Sequence, residues 1–221
     1  MMTAHHPGLG VDVDYQLDPI PEDADGQVAA VVGMMRRYVE RGLSHPAVQT
    51  QAANAATEGS GDPVDGVYRL VKQQMRFVRD EELAQPFQAL MPDNPIVEVL
   101  VLPEAQAAAA LGGKRLGDCD DYVMYAASLL LANGVPCSFV TVAANPRDLS
   151  RFSHVYLAAY PRDGRGRIPM DVSHGDYLGW ETPNWKRKVE WPVGGESWER
   201  WAVIAAALGA AYVAYRKGWL N

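Results

Sequence analysis

GDCDDYVMYAASLLLANGVPCSFVTVA, residues 117 to 143, places a cysteine directly before a run of apolar helix formers and ends in a β-branched segment. Asp118 suits the cap of a helix from Cys119 to about Ala132, because a carboxylate there accepts backbone N–H groups that a first turn leaves unpaired. Asn133 and Gly134 supply its stop, since glycine readily takes the left-handed backbone that closes a helix. VPCSFVTVAA, 135 to 144, reads as a strand by its β-branched content. At the start of the helix, Cys119 faces unpaired N–H groups and the positive end of the dipole, and both stabilise a thiolate. Asp120 and Asp121 fall in the first turn, where the helix carries them around the axis from the sulfur.

A thiol nucleophile needs a base, and the chain has five histidines. His5 and His6 lie near the N-terminus, and His45 lies in a helix–helix turn. His154 opens a predicted strand, HVYLAAY (154 to 160), and RIPMDVS (167 to 173) predicts another. Asp163-Gly164 between them favours a two-residue type I′ turn. That turn pairs Arg162 with Arg165 and sets His154 opposite Ser173. Asp171 then lies on the same face as a diagonal neighbour of His154, within reach of a polar side chain. A slip of one residue would separate the two. The same register puts His174 on the opposite face, which ranks it well below His154 as a base.

Upstream, residues 26 to 43 carry Val28, Val31, Val32, Met35, Val39 and Leu43 at helical spacing. Pro46 starts a short helix, and TEGSGDP, 57 to 63, reads as a linker. Asp62 can cap a helix that begins at Pro63 and carries Val67, Leu70, Val71, Met75 and Val78. Residues 80 to 103 contain four prolines and read as a long loop. Residues 104 to 112, EAQAAAALG, read as a short alanine-rich helix. The resulting division is an extended arm at 1–25, helices and linker at 26–62, a central domain at 63–180, a Trp/Pro-rich connector at 181–198 and an apolar helix at 199–221.

With 221 residues, 48% of them apolar, the chain suits one domain with additional terminal segments. A net charge of −7 gives no clustered basic footprint, so no nucleic-acid partner is expected. Two cysteines are too few for a disulfide framework or an all-cysteine zinc site. Cys137, inside a strand, is most simply a small core residue. A metal site built from Cys119, Asp120, His154 and His174 lacks a dense ligand motif, and neither a metal nor another cofactor is expected. The N-terminus shows no secretory signal, which points to a cytoplasmic or virion-associated protein. WAVIAAALGAAYVAY, 201 to 215, is an uncharged run of fifteen residues flanked by Trp, Tyr, Arg and Lys. It reads equally as a helix buried against the domain or another subunit, and as a short membrane contact over residues 201–220.

GDCDD, LLLANGVPCSFVTVA, FSHVYLAAY and the Asp of PMDVSHG, taken in order, resemble the transglutaminase-like cysteine peptidase superfamily of the papain-like fold group. The resemblance covers roughly residues 64 to 176, and the helices before it are similar to a phage-associated branch. It implies an α+β fold, with the nucleophile at a helix N-terminus packed on an antiparallel sheet. It further implies Cys119 as nucleophile, His154 as general base and acid, and Asp171 as the residue that orients the imidazole. The implied activity is thiol-dependent hydrolysis of peptide-like amides in a protein or peptidoglycan. The alternatives are transglutaminase-type acyl transfer, and a virion or assembly protein that keeps the fold and binds partners, or a second copy of itself, through its arm and tail. The backbone N–H of Cys119 is one oxyanion donor under this reading. Gln85 and Gln88 are open as the second, and no motif fixes either.

Overall fold

A computed structural model describes residues 2–6, 11–15, 23–88, 98–109 and 115–194. In chain order the elements are β1 (Met2–His6), β2 (Val11–Tyr15), α1 (Ala24–Gly42), α2 (Pro46–Glu58), α3 (Pro63–Gln74), β3 (Met75–Phe77), α4 (Asp80–Leu83) and α5 (Gln85–Gln88). They continue with α6 (Pro103–Ala109), β4 (Arg115–Gly117), α7 (Cys119–Ala132), β5 (Cys137–Val142), β6 (His154–Ala159), β7 (Ile168–Met170) and β8 (Lys188–Val193). The molecule mixes helices with a small antiparallel sheet, an α+β arrangement.

Helix α7 is the centre. Every residue from Asp120 to Leu130 is buried, as expected of a helix apolar on all sides. Helices α1, α2, α3 and α6 pack around it, and strands β5 and β6 cover its remaining face. It ends where Asn133-Gly134 predicts. Gly134 has φ +72°, and its N–H and that of Val135 reach back to Leu131 and Leu130. Helices α2 and α3 cross closely at Gly66, where any Cβ would collide with the Ala55 carbonyl.

The main sheet runs β7-β6-β5-β8, antiparallel throughout. Cys137, Phe139, Val155, Leu157, Ala159 and Met170 face α7 in the main core. Val140, Val142, Tyr156 and Ala158 form a smaller cluster on the other face. Strand β8 arises within the Trp/Pro-rich connector. Pro192 is tolerated there because β8 is an edge strand, where a missing N–H costs no ladder bond.

The β6–β7 register is the predicted one, with a different turn. Leu157 pairs with Met170, and the ladder stops at Ala159 and Ile168. Residues 160 to 167 therefore make a wide connection in place of a two-residue hairpin. Arg165 explains the widening: its guanidinium is drawn to Asp62 at the start of α3 at 2.7 Å and to Asp163 within the loop. Gly164 and Gly166, at φ +89° and +73°, supply the left-handed backbone this path needs.

Three other segments differ from the sequence reading. Residues 2–6 and 11–15, within the predicted arm, pair as an antiparallel ribbon. The predicted loop from residue 80 contains α4 and α5, while 89–97 lie outside the described residues. Strands β3 and β4 pair in parallel and set Phe77 beside Gly117. The predicted C-terminal helix, 199–221, falls outside the described residues. Among those described, no helix is long and apolar enough to cross a membrane.

Candidate active site

Cys119 opens α7 as predicted, half-buried. Asp118 caps the helix by accepting the Asp120 N–H at 3.2 Å. Asp121 answers by accepting the Asp118 N–H at 3.3 Å and the Val101 N–H at 2.7 Å. This reciprocal cap fixes the turn that carries the thiol.

Strand β7 ends at Met170, so Val155 of β6, which a longer ladder would set against Val172, has no strand partner on that side. Its backbone N–H acts to lower the Cys119 thiol pKa, against the larger effects of burial and Asp118. Helix α7, which Cys119 opens, packs against β6, the strand that His154 opens. No hydrogen bond joins Cys119 to the His154 ring among the described residues.

His154 and Asp171 do meet. The imidazole Nε2 lies 2.7 Å from Asp171 Oδ2, with Asp171 fully buried and the His154 side chain 11% exposed. The carboxylate is saturated. Oδ2 also accepts the Thr182 hydroxyl at 2.9 Å, and Oδ1 accepts the Ser173 hydroxyl at 3.1 Å and the His174 N–H at 2.9 Å. Burial alone would raise this carboxyl, but the hydrogen bond and charge of His154, the His174 N–H and the Thr182 hydroxyl together bring it down to about 2. Asp171 is therefore ionised at neutral pH and accepts a hydrogen from Nε2, which leaves Nδ1 as the basic nitrogen of the neutral ring.

The electrostatics around the cysteine run against the sequence-based expectation of a stabilised thiolate. Burial, followed by the Asp118 carboxylate, pushes the Cys119 thiol well above its ordinary value, with Glu98 and Asp80 adding to the rise. The helix N-terminus is present, but its cap is itself an acid, and two further carboxyls approach from the preceding loop. The resting group is a neutral thiol. Cys137, by contrast, is a core residue, raised to about 12 by burial.

The acids form a cluster of their own. Burial and Asp118 raise Asp80 to about 10, and the same two causes lift Asp120. One carboxylate oxygen each from Asp118, Asp120 and Asp121 lies within 4.8 Å of the others. Asp80 Oδ1 and Asp120 Oδ1 are buried without a hydrogen-bond partner. Both Asp121 oxygens and Asp118 Oδ1 already accept backbone N–H groups, which disfavours a metal at this cluster. His154, Asp171 and His174 also converge, but both Asp171 oxygens are already occupied by protein donors, which disfavours a metal there.

His174 departs from its predicted place. The chain leaves the strand at Met170, so strand alternation no longer governs it. Its ring stands edge-on to His154, with centroids 4.8 Å apart, and Phe77 packs against its other side at 5.2 Å. Burial and the nearby His154 lower the His174 pKa. Sequence reasoning missed Thr182, Ser173 and His174 as partners of Asp171. Ser173 and His174 were findable by proximity to Asp171. Thr182 arrives by a tertiary loop and carries no local signal.

No protein-family model matches the sequence, and no curated protein matches it. Among solved structures, the chain superposes on Legionella pneumophila LapG at 16% identity and a TM-score of 0.37, covering 74% of this chain and 78% of that one. EGTA-treated LapG gives 15% identity and a TM-score of 0.41, covering 75% and 87%. A Rad4–Rad23 structure bound to a 6-4 photoproduct UV lesion gives 11% identity and a TM-score of 0.40, and this chain spans 38% of that one.

Proposed function

We propose that the protein is a thiol-dependent hydrolase of peptide-like amide bonds, with Cys119 as nucleophile, His154 as general base and acid, and Asp171 as the residue that orients the imidazole. The observation that carries this reading is the 2.7 Å contact between His154 Nε2 and a buried, ionised Asp171, with His154 opening a strand that packs against α7, the helix that Cys119 opens. An aspartate so held fixes one tautomer and stabilises the imidazolium that forms during reaction.

Because the resting thiol is neutral, the proton moves during attack and not before it. As the sulfur bonds to the amide carbon, its proton passes to His154 Nδ1, and the carbonyl electrons shift to oxygen. The Cys119 N–H, at the start of α7, is placed to stabilise that oxyanion. Collapse breaks the C–N bond, and Nδ1 returns the proton to the departing amine, leaving a thioester. Water then attacks the thioester with His154 as base. The carboxylic acid departs and the thiol is restored.

Cleavage of a mixed peptide library, followed by mass spectrometry, tests the proposal. The wild type cleaves and Cys119→Ala does not. A library left intact by both, or cut equally by both, rejects the reading. Added primary amine separates the two acyl acceptors: a hydrolase keeps releasing free carboxylates, whereas a transferase converts them to amides.

A further inference from the structure

The turn that carries Asp171 is held from outside the sheet. Gly175 N–H donates to the Asp171 carbonyl at 2.9 Å, so residues 171 to 175 close as a single α-turn. The Gly175 carbonyl accepts two donors from α3: the Tyr68 hydroxyl at 2.9 Å and the Lys72 ammonium at 2.5 Å. Tyr68 and Lys72 are four residues apart and share one face of the helix. Tyr68 is buried at 7% exposure, and its phenol pKa is raised by burial and then by the Asp171 and Asp176 charges.

We propose that Tyr68 and Lys72 are positioning residues for the His154–Asp171 pair, acting through the Gly175 carbonyl. The proposal rests on the thiol-hydrolase reading. One donor would satisfy that carbonyl. A second, charged donor on a long side chain costs rotamer entropy, and what it adds is rigidity of the turn. The turn places Asp171, and also the His174 N–H and Ser173 hydroxyl that hold Asp171 Oδ1. Strand β7 cannot do this work, since it ends at Met170. Helix α3 packs against α7, which carries Cys119. The clamp therefore references the general base to the same helical frame as the nucleophile. Gly175 belongs to the device as well: a Cβ there would meet the Asp171 carbonyl oxygen at 2.5 Å and Asp171 Cβ at 3.2 Å.

The test is the pH profile of Cys119 alkylation by iodoacetamide, read at the Cys119 peptide by mass spectrometry. It compares wild type, the Tyr68→Phe/Lys72→Met double variant, Lys72→Arg, Gly175→Ala and Asp171→Asn, with thermal melts recorded for each. The double variant loses about tenfold in rate near neutral pH, the size typical of losing a group that orients a reactive residue. Lys72→Arg retains most of the rate, because it keeps a charged donor. Gly175→Ala reaches the same turn without touching α3 and reproduces the loss if the double variant does not fold. A wild-type profile in the folded double variant overturns the clamp. So does a fall in melting temperature with no change of profile. If Asp171→Asn also shows the wild-type profile, the hydrolase reading fails and takes the clamp with it; if only the clamp variants do, the clamp alone fails.

Discussion

Asp171→Asn is the most informative single substitution. The two side chains have nearly the same shape, so packing is preserved and the change is electrostatic. In the wild type, four donors converge on the carboxylate: two on Oδ2, from His154 and Thr182, and two on Oδ1, from Ser173 and the His174 backbone. An asparagine must turn its NH2 toward one of these pairs. The His174 N–H is a fixed backbone donor, so the NH2 faces the other side, where the Thr182 hydroxyl and the imidazole can adapt. The ring then accepts at Nε2 and carries its hydrogen on Nδ1. That tautomer cannot take a thiol proton, and the loss expected for disabling a general base is about 10²- to 10⁴-fold in turnover. The stability cost follows from linkage. Bringing the Asp171 carboxyl from 3.8 to about 2 corresponds to roughly 2.5 kcal/mol of preference for the folded state at neutral pH. The folded pKa is depressed, so this stability is present above the unfolded value and is lost as pH falls through about 2. The gap in unfolding free energy between wild type and variant should be widest at pH 7 and close as pH drops from about 4 toward 2. Urea denaturation at several pH values gives the gap, and peptide cleavage gives the rate. A variant that keeps turnover within about threefold, below any general-base effect, refutes the assignment of Asp171.

Two further outcomes are expected. Asp80→Asn should raise the melting temperature at pH 8 by about 3–6 °C, equivalent to roughly 1–2 kcal/mol. Because the folded pKa of Asp80 is raised, its penalty grows as pH climbs above the unfolded value, so the gain should vanish near pH 4. Gly66→Ala should cost about 3 kcal/mol or more by urea denaturation, since the added methyl drives α3 off the Ala55 carbonyl of α2.

What was legible in the sequence follows the range of the forces involved. Helix α7, its Asp118 cap and its Asn133-Gly134 stop are local, and periodicity and capping chemistry displayed them. The β6–β7 register follows in the sequence from a two-residue turn that the structure replaces with a wider connection, and the pairing that turn implies is kept in the ladder. The turn itself was not legible, because Arg165 is drawn to Asp62, a residue 103 positions away. His154 and Asp171 meet just beyond the end of that ladder, with Asp171 opening the turn that follows Met170. Thr182, Tyr68 and Lys72, which hold Asp171 or its turn, come from distant segments and left no pattern. The thiol's electrostatics were misread for a similar reason. The helix dipole is visible from Cys119 alone, whereas burial, the largest cause of the raised thiol, comes from the tertiary fold; Asp118, the next, is adjacent in sequence but reads there only as a cap, and Glu98 and Asp80 add to the rise.

The central claim is that His154 acts on Cys119. The direct measurement is the rate constant for alkylation of Cys119 by iodoacetamide at pH 7, in wild type and in His154→Ala, read at the Cys119 peptide with buried Cys137 as the internal reference. A neutral thiol that relies on an adjacent base should react at least about tenfold more slowly once the imidazole is gone. Equal rates in the two proteins would contradict the account.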